Sequence, residues 1–221
     1  MCLALVFRMI QNLETNKERK FMDMTKKIKK IEEKILGIAV ELAKKGEGAL
    51  FVIGDKIKYD SLIKQKIQKF NIFDNGAEKI LKSIATIDGA IIINTNGDIL
   101  GYGAMIKKSK PYVGYGTRHA AAVTASEKGN ISIMCSEEER KVKIFKDGKF
   151  IMQMDALQKN IEKEIPKVAS FLESIGAGFI GAIGVAALAP ALGIALLPGV
   201  IIFGVGYYAI KELADHLKKH F

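Results

Sequence analysis

Apolar side chains recur every three or four residues through the N-terminal part of the chain, with lysine and glutamate between them. Within Glu14–Lys45 this apolar face comprises Ile28, Ile31, Ile35, Ile38 and Leu42. Residues at this spacing lie on the same side of an α-helix. The pattern predicts an N-terminal amphipathic helix that ends at Gly46-Glu47-Gly48, because glycine readily ends a helix.

Beyond this helix, short apolar runs alternate with amphipathic segments. Asn96-Gly97 between two apolar runs is typical of a β-hairpin, and Gly129 is suited to a left-handed helix cap. A mixture of this kind without a strict repeat predicts an α/β fold, with a mixed central β-sheet flanked by helices. Strands are predicted at Ala49–Ile53, Ala90–Ile93, Asp98–Ile106, Ile131–Cys135, Lys141–Phe145 and Lys149–Met152, and helices at Ser61–Phe70, Ala77–Thr86 and Arg118–Glu127.

The C-terminal part has a different composition. A charged helix is predicted at Asp155–Lys167, and no charged side chain occurs from Ser174 to Ile210. One membrane helix needs about 20 apolar residues, so this span predicts a C-terminal hydrophobic helical hairpin inserted in a membrane. Lysines on both flanks favour two cytoplasmic ends. The alternative is an apolar helical pair buried in protein, which would make the chain cytoplasmic.

These changes in pattern divide the chain into three parts: an N-terminal helical segment (1–47), a central domain (48–155) and the C-terminal charged helix with its hairpin (156–221). The formal net charge is +10. Without an aromatic-interleaved basic stripe or zinc-type spacing, sequence-specific nucleic-acid binding is not expected. Cys2 and Cys135 are too far apart in the chain to suggest a disulfide framework, which favours a reducing compartment. Met1–Ile10 is apolar but lacks the features of an export signal.

Two short segments carry the candidate chemistry. Asp88-Gly89-Ala90 places a carboxylate at the start of a buried strand, and Gly116-Thr117-Arg118-His119 opens a helix with cationic side chains in its first turn. Cations are unfavourable at a helix N-terminus unless an anion binds there. A phosphate would accept hydrogen bonds from free backbone N–H groups and from the arginine. The pair of segments therefore predicts a polyphosphate site beside a carboxylate.

Together with Ser136-Glu137-Glu138, these two segments resemble the diadenylate cyclase domain over about Gly48–Asp155. The resemblance implies an enzyme that condenses two ATP molecules into cyclic di-AMP and two pyrophosphates. It also implies a divalent metal ion, Mg²⁺ or Mn²⁺, and a face-to-face homodimer in which each domain holds one ATP.

The resemblance also assigns roles to the candidate residues. Asp88, Arg118 and His119 are the catalytic candidates, and Asp88 and Glu138 are the metal ligands. ATP would be bound by Gly89, Ala90, Gly116, Thr117, Arg118, His119, Ser136 and Glu137. The hydroxyl of Thr117 could also act as an ordinary helix cap. Tyr102 and Met105 are candidates to line the adenine site, with core packing as the alternative for both.

Two positions depart from the family pattern. Many members have histidine where this chain has Ile87, and a second arginine where it has Ala120. Lys107, Lys108 and Lys110 are candidates to replace the missing charge. These departures leave open a sensor that binds ATP or a cyclic dinucleotide without turnover. A membrane interaction protein that regulates a channel or transporter is a third alternative.

Overall fold

The structure, a computed structural model, describes residues 2–64, 68–107, 109, 116–176 and 199–202. Its helices are α1 (Cys2–Lys45), α2 (Ala77–Ala85), α3 (Thr117–Ala125) and α4 (Ile165–Gly176). Its strands are β1 (Ala49–Ile53), β2 (Tyr59–Ser61), β3 (Ala90–Ile93), β4 (Ile99–Ile106), β5 (Ile131–Ser136), β6 (Lys141–Lys146), β7 (Lys149–Asp155) and β8 (Val200–Ile202). The strands form one sheet in the order β2-β4-β3-β1-β5-β6-β7-β8.

Strand β1 lies at the centre of the sheet and makes it mixed. Phe51 pairs with Ile91 in the parallel strand β3 and with Ile133 in the antiparallel strand β5. Every residue of β1 is buried, as a continuous apolar run in a central strand requires. The predicted hairpin of β3 and β4 is confirmed by their antiparallel pairing. The α/β prediction with a mixed sheet is therefore confirmed.

Helices cover both faces of the sheet. The C-terminal half of α1, with α2 and α4, packs on the face that contains Phe51, Ile133 and Ile144. Helix α3 packs on the opposite face, against Leu50, Val52 and other residues. Alternate residues of one strand thus serve two separate cores.

Helix α1 begins earlier than predicted, at Cys2, and ends at the predicted glycine. The N–H of Gly46 donates to the carbonyl of Ala43 (3.0 Å) and the N–H of Glu47 donates to that of Leu42 (2.9 Å). Gly46 has a left-handed φ of 75°. These are the features of a Schellman motif, in which glycine relieves the strain of the helix end. Of the predicted face, Ile28 is half-buried and the other four residues are buried.

The helix predicted at Ser61–Phe70 is wrong in the described residues. Tyr59–Ser61 forms the edge strand β2, in which Tyr59 pairs with Ile106 of β4. The Ser61 hydroxyl donates to the carbonyl of Ile63 (2.6 Å) in a local turn rather than capping a helix. Backbone N–H and C=O groups of this segment pair with strand β4 instead of forming the hydrogen bonds of a helix.

The charged helix predicted at Asp155–Lys167 is also wrong. Strand β7 continues to Asp155, a 3₁₀ turn covers Ile161–Glu164, and α4 begins at Ile165. Pro166 lies in the first turn of α4, not near the end of a helix as the predicted range would place it. Proline is favoured there because the missing N–H would have had no partner in the helix.

Most of the predicted hydrophobic hairpin, Ser174–Ile210, lies outside the described residues. The described part differs from a helical hairpin at Val200–Ile202, which forms β8 and pairs with β7 through Gln153 and Ile201. Branched side chains such as valine and isoleucine favour strands. The described helices include none that is both long enough and apolar enough to cross a bilayer.

Candidate nucleotide site

A cavity of about 600 Å³ opens on the α3 face of the sheet. It lies among the start of β3, the end of β4, the N-terminus of α3 and the turn after β5. The volume is in the range of small-molecule and cofactor sites. All the predicted site residues line it: Asp88, Gly89, Ala90, Gly116, Thr117, Arg118, His119, Ser136, Glu137 and Glu138.

The Asp88-Gly89 corner is held in place by its backbone. Gly89 has a φ of 103°, and a Cβ there would lie 2.6 Å from the carbonyl carbon of Gly103 in β4. Only glycine permits this close approach. The N–H of Gly89 donates to Oδ1 of Asp88 (3.0 Å). The exposed Asp88 carboxylate is therefore fixed at the edge of the cavity.

Helix α3 directs its N-terminus at the same cavity. Gly116 is the N-cap residue and, as a glycine, has no side chain that could cap the helix. Thr117 is therefore the first helical residue, which corrects the expectation that it is itself the cap. The first backbone N–H groups of a helix have no partner within it. Such a terminus is suited to binding an anion.

Arg118 and Glu137 converge over Gly48, at the start of β1. A Cβ on Gly48 would lie 2.3 Å from Nη1 of Arg118 and 3.0 Å from Oε2 of Glu137. The absence of a side chain at Gly48 therefore leaves room for the guanidinium group. This dependence of Arg118 on Gly48 is not visible in the sequence motifs.

The acidic turn after β5 is tied to helix α1. The Ser136 hydroxyl accepts a hydrogen bond from the N–H of Glu139 (3.3 Å), and Glu137 and Glu138 are exposed. Arg140 donates through Nη1 to the carbonyl of Lys44 (2.7 Å) in the last turn of α1. The position of the turn thus depends on the end of that helix.

Cys135 also lines the cavity but is not suited to chemistry. Burial raises the pKa of its thiol to about 12, and the thiol donates to the carbonyl of Ala39 (3.4 Å). A thiol that stays protonated is a poor nucleophile. This environment indicates a structural role for Cys135.

The carboxylates of Asp88 and Glu138 are the oxygen donors suited to Mg²⁺ or Mn²⁺ at this cavity. Mg²⁺ is commonly held by one or two carboxylates together with substrate phosphates and water. The described residues include no cluster of three or more metal-ligating side chains. Two carboxylates that line one cavity are donors of the type that Mg²⁺ accepts together with phosphate oxygens and water.

His119 contacts a lysine that the sequence motifs did not reveal. Nζ of Lys143 in β6 lies 3.1 Å from Nε2 of His119, and Lys143 also forms an ion pair with Glu139. Burial, with Lys143 as the next cause, lowers the pKa of His119. Lysines alternate with apolar residues along β6, which predicts an exposed lysine face, but the Lys143 side chain is only 5% exposed.

The two departures from the family pattern lie outside the set of cavity-lining residues. Ala120 is buried on the inner side of α3, and Ile87 is 37% exposed beside the cavity-lining Asp88. Of the candidate compensating lysines, Lys107 pairs with Asp60 (2.7 Å); Lys108 and Lys110 lie outside the described residues.

The two candidates for the adenine site are separated in the structure. Met105 lines the cavity, whereas Tyr102 lines a second cavity of about 500 Å³ at the edge of the sheet near β2. Sequence reasoning also missed the apolar lining, including Leu50, Leu62 and Met134, because apolar residues in or beside strands are indistinguishable from core residues by pattern.

The geometry and the sequence together define a nucleotide-binding domain of a known class. Residues 38–150 match the family model DAC, described as the DisA bacterial checkpoint controller nucleotide-binding domain. The chain belongs to this family.

Two curated relatives bear the name diadenylate cyclase. The protein from Methanocaldococcus jannaschii is 30% identical over 150 residues, which cover 61% of this chain and 48% of the relative. The protein from Haloferax volcanii is 30% identical over 139 residues, 55% of this chain and 51% of the relative. The chain thus spans about half the length of these relatives.

Two solved structures are also similar. A hypothetical membrane spanning protein from Bacillus cereus has a TM-score of 0.40 and 22% identity, covering 52% of this chain and 59% of that chain. DacA from Staphylococcus aureus has a TM-score of 0.38 and 23% identity, covering 60% of this chain and 87% of that chain.

Proposed function

We propose that the protein is a diadenylate cyclase, which condenses two ATP molecules into cyclic di-AMP and two pyrophosphates. The observation that carries the proposal is the convergence of three separate motifs on one cavity of nucleotide size. A carboxylate, a helix N-terminus with an arginine, and an acidic turn all line that cavity. The family and the names of the two curated relatives support the same activity.

In the proposed reaction, the 3′-hydroxyl of one ATP attacks the α-phosphorus of the other. A bond forms between O3′ and the α-phosphorus, the bond from that phosphorus to the bridging oxygen breaks, and pyrophosphate leaves while the hydroxyl proton passes to solvent. A second, equivalent transfer closes the ring. Asp88, fixed by Gly89, orients the attacking hydroxyl at the edge of the cavity.

The triphosphate would bind at the N-terminus of α3. The donors would be the N–H groups of Thr117 and Arg118, the Thr117 hydroxyl and the Arg118 guanidinium, since both residues line the cavity. The N–H of His119 already donates to the carbonyl of Gly116 (3.1 Å). His119 and Ser136 complete the polar lining, and Gly89 and Ala90 leave room for the ribose. A divalent ion held by Asp88 and Glu138 would lower the pKa of the hydroxyl and neutralise phosphate charge.

Two domains must face each other for this chemistry, because one cavity of this size holds one ATP. A two-fold arrangement would bring each 3′-hydroxyl to the other nucleotide, and such proximity supplies much of the rate. The exposure of Asp88 and of the cavity-lining Leu62 and Met105 supports a partner at this rim.

For the C-terminal segment we propose membrane association with the catalytic domain on the cytoplasmic side.

The test uses the full chain, because α4 and β8 are part of the described fold. We would incubate it with ATP and Mg²⁺ or Mn²⁺ and detect cyclic di-AMP by mass spectrometry. Asp88→Asn keeps the size of the side chain and should lower product formation about 100-fold or more. Asp23→Asn is the matched control, since Asp23 is also an exposed aspartate but lies on α1 and does not line the cavity.

The outcomes separate two functions. Product that is lost in Asp88→Asn and retained in Asp23→Asn supports the cyclase. Tight ATP binding by a dimeric sample that forms no product with either metal would contradict it. That result would instead support the nucleotide sensor, for which the replacement of an arginine by Ala120 is the specific observation.

A further inference from the structure

We propose that Lys143 is a positioning residue for His119: its ammonium group holds the imidazole ring in the neutral tautomer that carries its proton on Nδ1. The assignment of the tautomer depends on the contact between Lys143 and His119. The catalytic consequence rests on the proposed cyclase function.

The direction of the hydrogen bond follows from the chemistry of the two groups. Nζ of Lys143 lies 3.1 Å from Nε2 of His119. An ammonium group has three donors and no acceptor, so Nε2 must accept. A neutral imidazole that accepts at Nε2 carries its proton at Nδ1.

Glu139 holds the Lys143 side chain in place. Its carboxylate forms an ion pair with Lys143 and also accepts from Lys141 at 3.3 Å. The Lys143 side chain is 5% exposed, whereas that of Lys141 is 32% exposed. A buried lysine needs a compensating partner, and here it has the carboxylate on one side and the imidazole on the other.

The other groups around His119 also disfavour its protonation. Phe145 of β6 presents a ring at 6.3 Å with an interplanar angle of 87°, which contributes an apolar surface. Burial, Lys143 and Arg118 all lower the pKa of His119, and Glu139 raises it. A histidine with a lowered pKa stays neutral at about pH 7.

The consequence for catalysis is that Arg118 and His119, neighbours at the start of α3, have different roles. Arg118 brings a permanent positive charge to the phosphates, whereas His119 lines the same cavity as a neutral group of fixed tautomer. A ring held in one tautomer is pre-organised for a hydrogen bond in the transition state. Removal of Lys143 would release that constraint without removing any group that touches the nucleotide.

The test measures the ring directly in the full-length protein, without ATP. Histidine labelled with ¹⁵N would be followed by NMR through a pH titration, with the His119 signal assigned from a His119→Gln variant. The wild type should carry the proton on Nδ1. Lys143→Met should shift the ring towards the tautomer with its proton on Nε2 and raise the pKa of His119. Lys143→Arg should preserve the wild-type tautomer and pKa because it retains a cationic donor.

Lys141→Met is the matched control. It removes a more exposed lysine two residues away that pairs with Oε2 of the same Glu139 carboxylate, so the His119 signals should not change. In the cyclase assay at saturating ATP, Lys143→Met should lower turnover about tenfold. Lys143→Arg should recover most of that loss, and Lys141→Met should have wild-type turnover.

A wild-type ring with its proton on Nε2 would overturn the inference, and so would unchanged His119 signals in Lys143→Met. If Lys143→Met does not fold, the wild-type tautomer and Lys143→Arg still decide the question. A chain that makes no cyclic di-AMP but whose His119 tautomer depends on Lys143 would refute the proposed function and leave the positioning role supported.

Discussion

The two faces of the central sheet are built from the same strands but differ in how they are covered. The α1 face is filled by large side chains such as Ile35, Leu36 and Phe171, all fully buried. The opposite face is covered by α3, whose buried residues are alanines. Large interlocking side chains stabilise a fold, whereas small ones leave space. The thin cover of α3 thus leaves open the cavity that large residues would fill.

Strand β6 shows the same contrast with two buried lysines. Lys143 faces the α3 side and pairs with Glu139 beside the cavity. Lys146 faces the other side and donates to the carbonyl of Leu172 in α4 (3.1 Å). One lysine therefore contacts a candidate catalytic residue, and the other connects the sheet to its structural helix.

The largest expected effect on stability comes from truncation on the α1 face. Ile35→Ala should lower the free energy of unfolding by about 3 kcal/mol, because it leaves a cavity in a fully packed core. The change would be measured as a lower urea midpoint. Met24→Ala, at a position on the same helix that is 47% exposed, should change stability by less than about 0.5 kcal/mol. Equal losses in the two variants would contradict the importance of this face.

A pH-dependent effect is expected from Glu32, which is 1% exposed and has no hydrogen-bond partner for Oε2 among the described residues. Burial raises its pKa from 4.5 to about 8. The folded state therefore binds more protons than the unfolded state between these values, and stability falls as pH rises through this window.

Glu32→Gln cannot ionise and should lack that part of the slope. Relative to the wild type, we expect the free energy of unfolding of this variant to be about 2–3 kcal/mol higher near pH 7 than near pH 5. Urea unfolding of both proteins across this range would measure it. Parallel stability curves for the two proteins would show that Glu32 does not titrate with the predicted raised pKa.

A smaller effect on binding is expected from Gly48→Ala. The added methyl group must displace the Arg118 guanidinium, a movable side-chain end, so the fold should survive while ATP affinity falls about tenfold through loss of a well-placed phosphate contact. Calorimetric titration with a non-hydrolysable ATP analogue would measure this. Unchanged affinity would show that Arg118 binds the nucleotide from another position.

Gly37→Ala is the control for that substitution and has the smallest expected effect. Gly37 lies within α1, and a Cβ there would meet no atom within 4 Å. Alanine should therefore stabilise the helix by about 0.5–1 kcal/mol and leave ATP affinity unchanged. A thermal unfolding scan would show a small rise in melting temperature.

The sequence predicted the parts of this molecule whose pattern is local. Residue spacing alone predicts the buried face of α1 and the hairpin of β3 and β4. Resemblance to a known family identifies the three motifs around Asp88, Arg118 and Glu138. The errors at Ser61–Phe70 and Asp155–Lys167 arose where pairing at the sheet or a proline in a first turn overrode a helical pattern. Lys143 and Gly48 were missed because their importance comes from contacts with residues far away in the chain.

The hydrogen bond from Arg140 to Lys44 also bears on the order of folding. Its partners are separated by 96 residues, so it forms only after the chain has closed a long loop, which is entropically costly. We therefore expect the acidic turn that carries Glu137 and Glu138 to reach its final position late in folding. A nucleotide that binds only the completed site would stabilise the folded state by mass action. Nucleotide binding would then indicate that the contact between Arg140 and the end of α1 has formed.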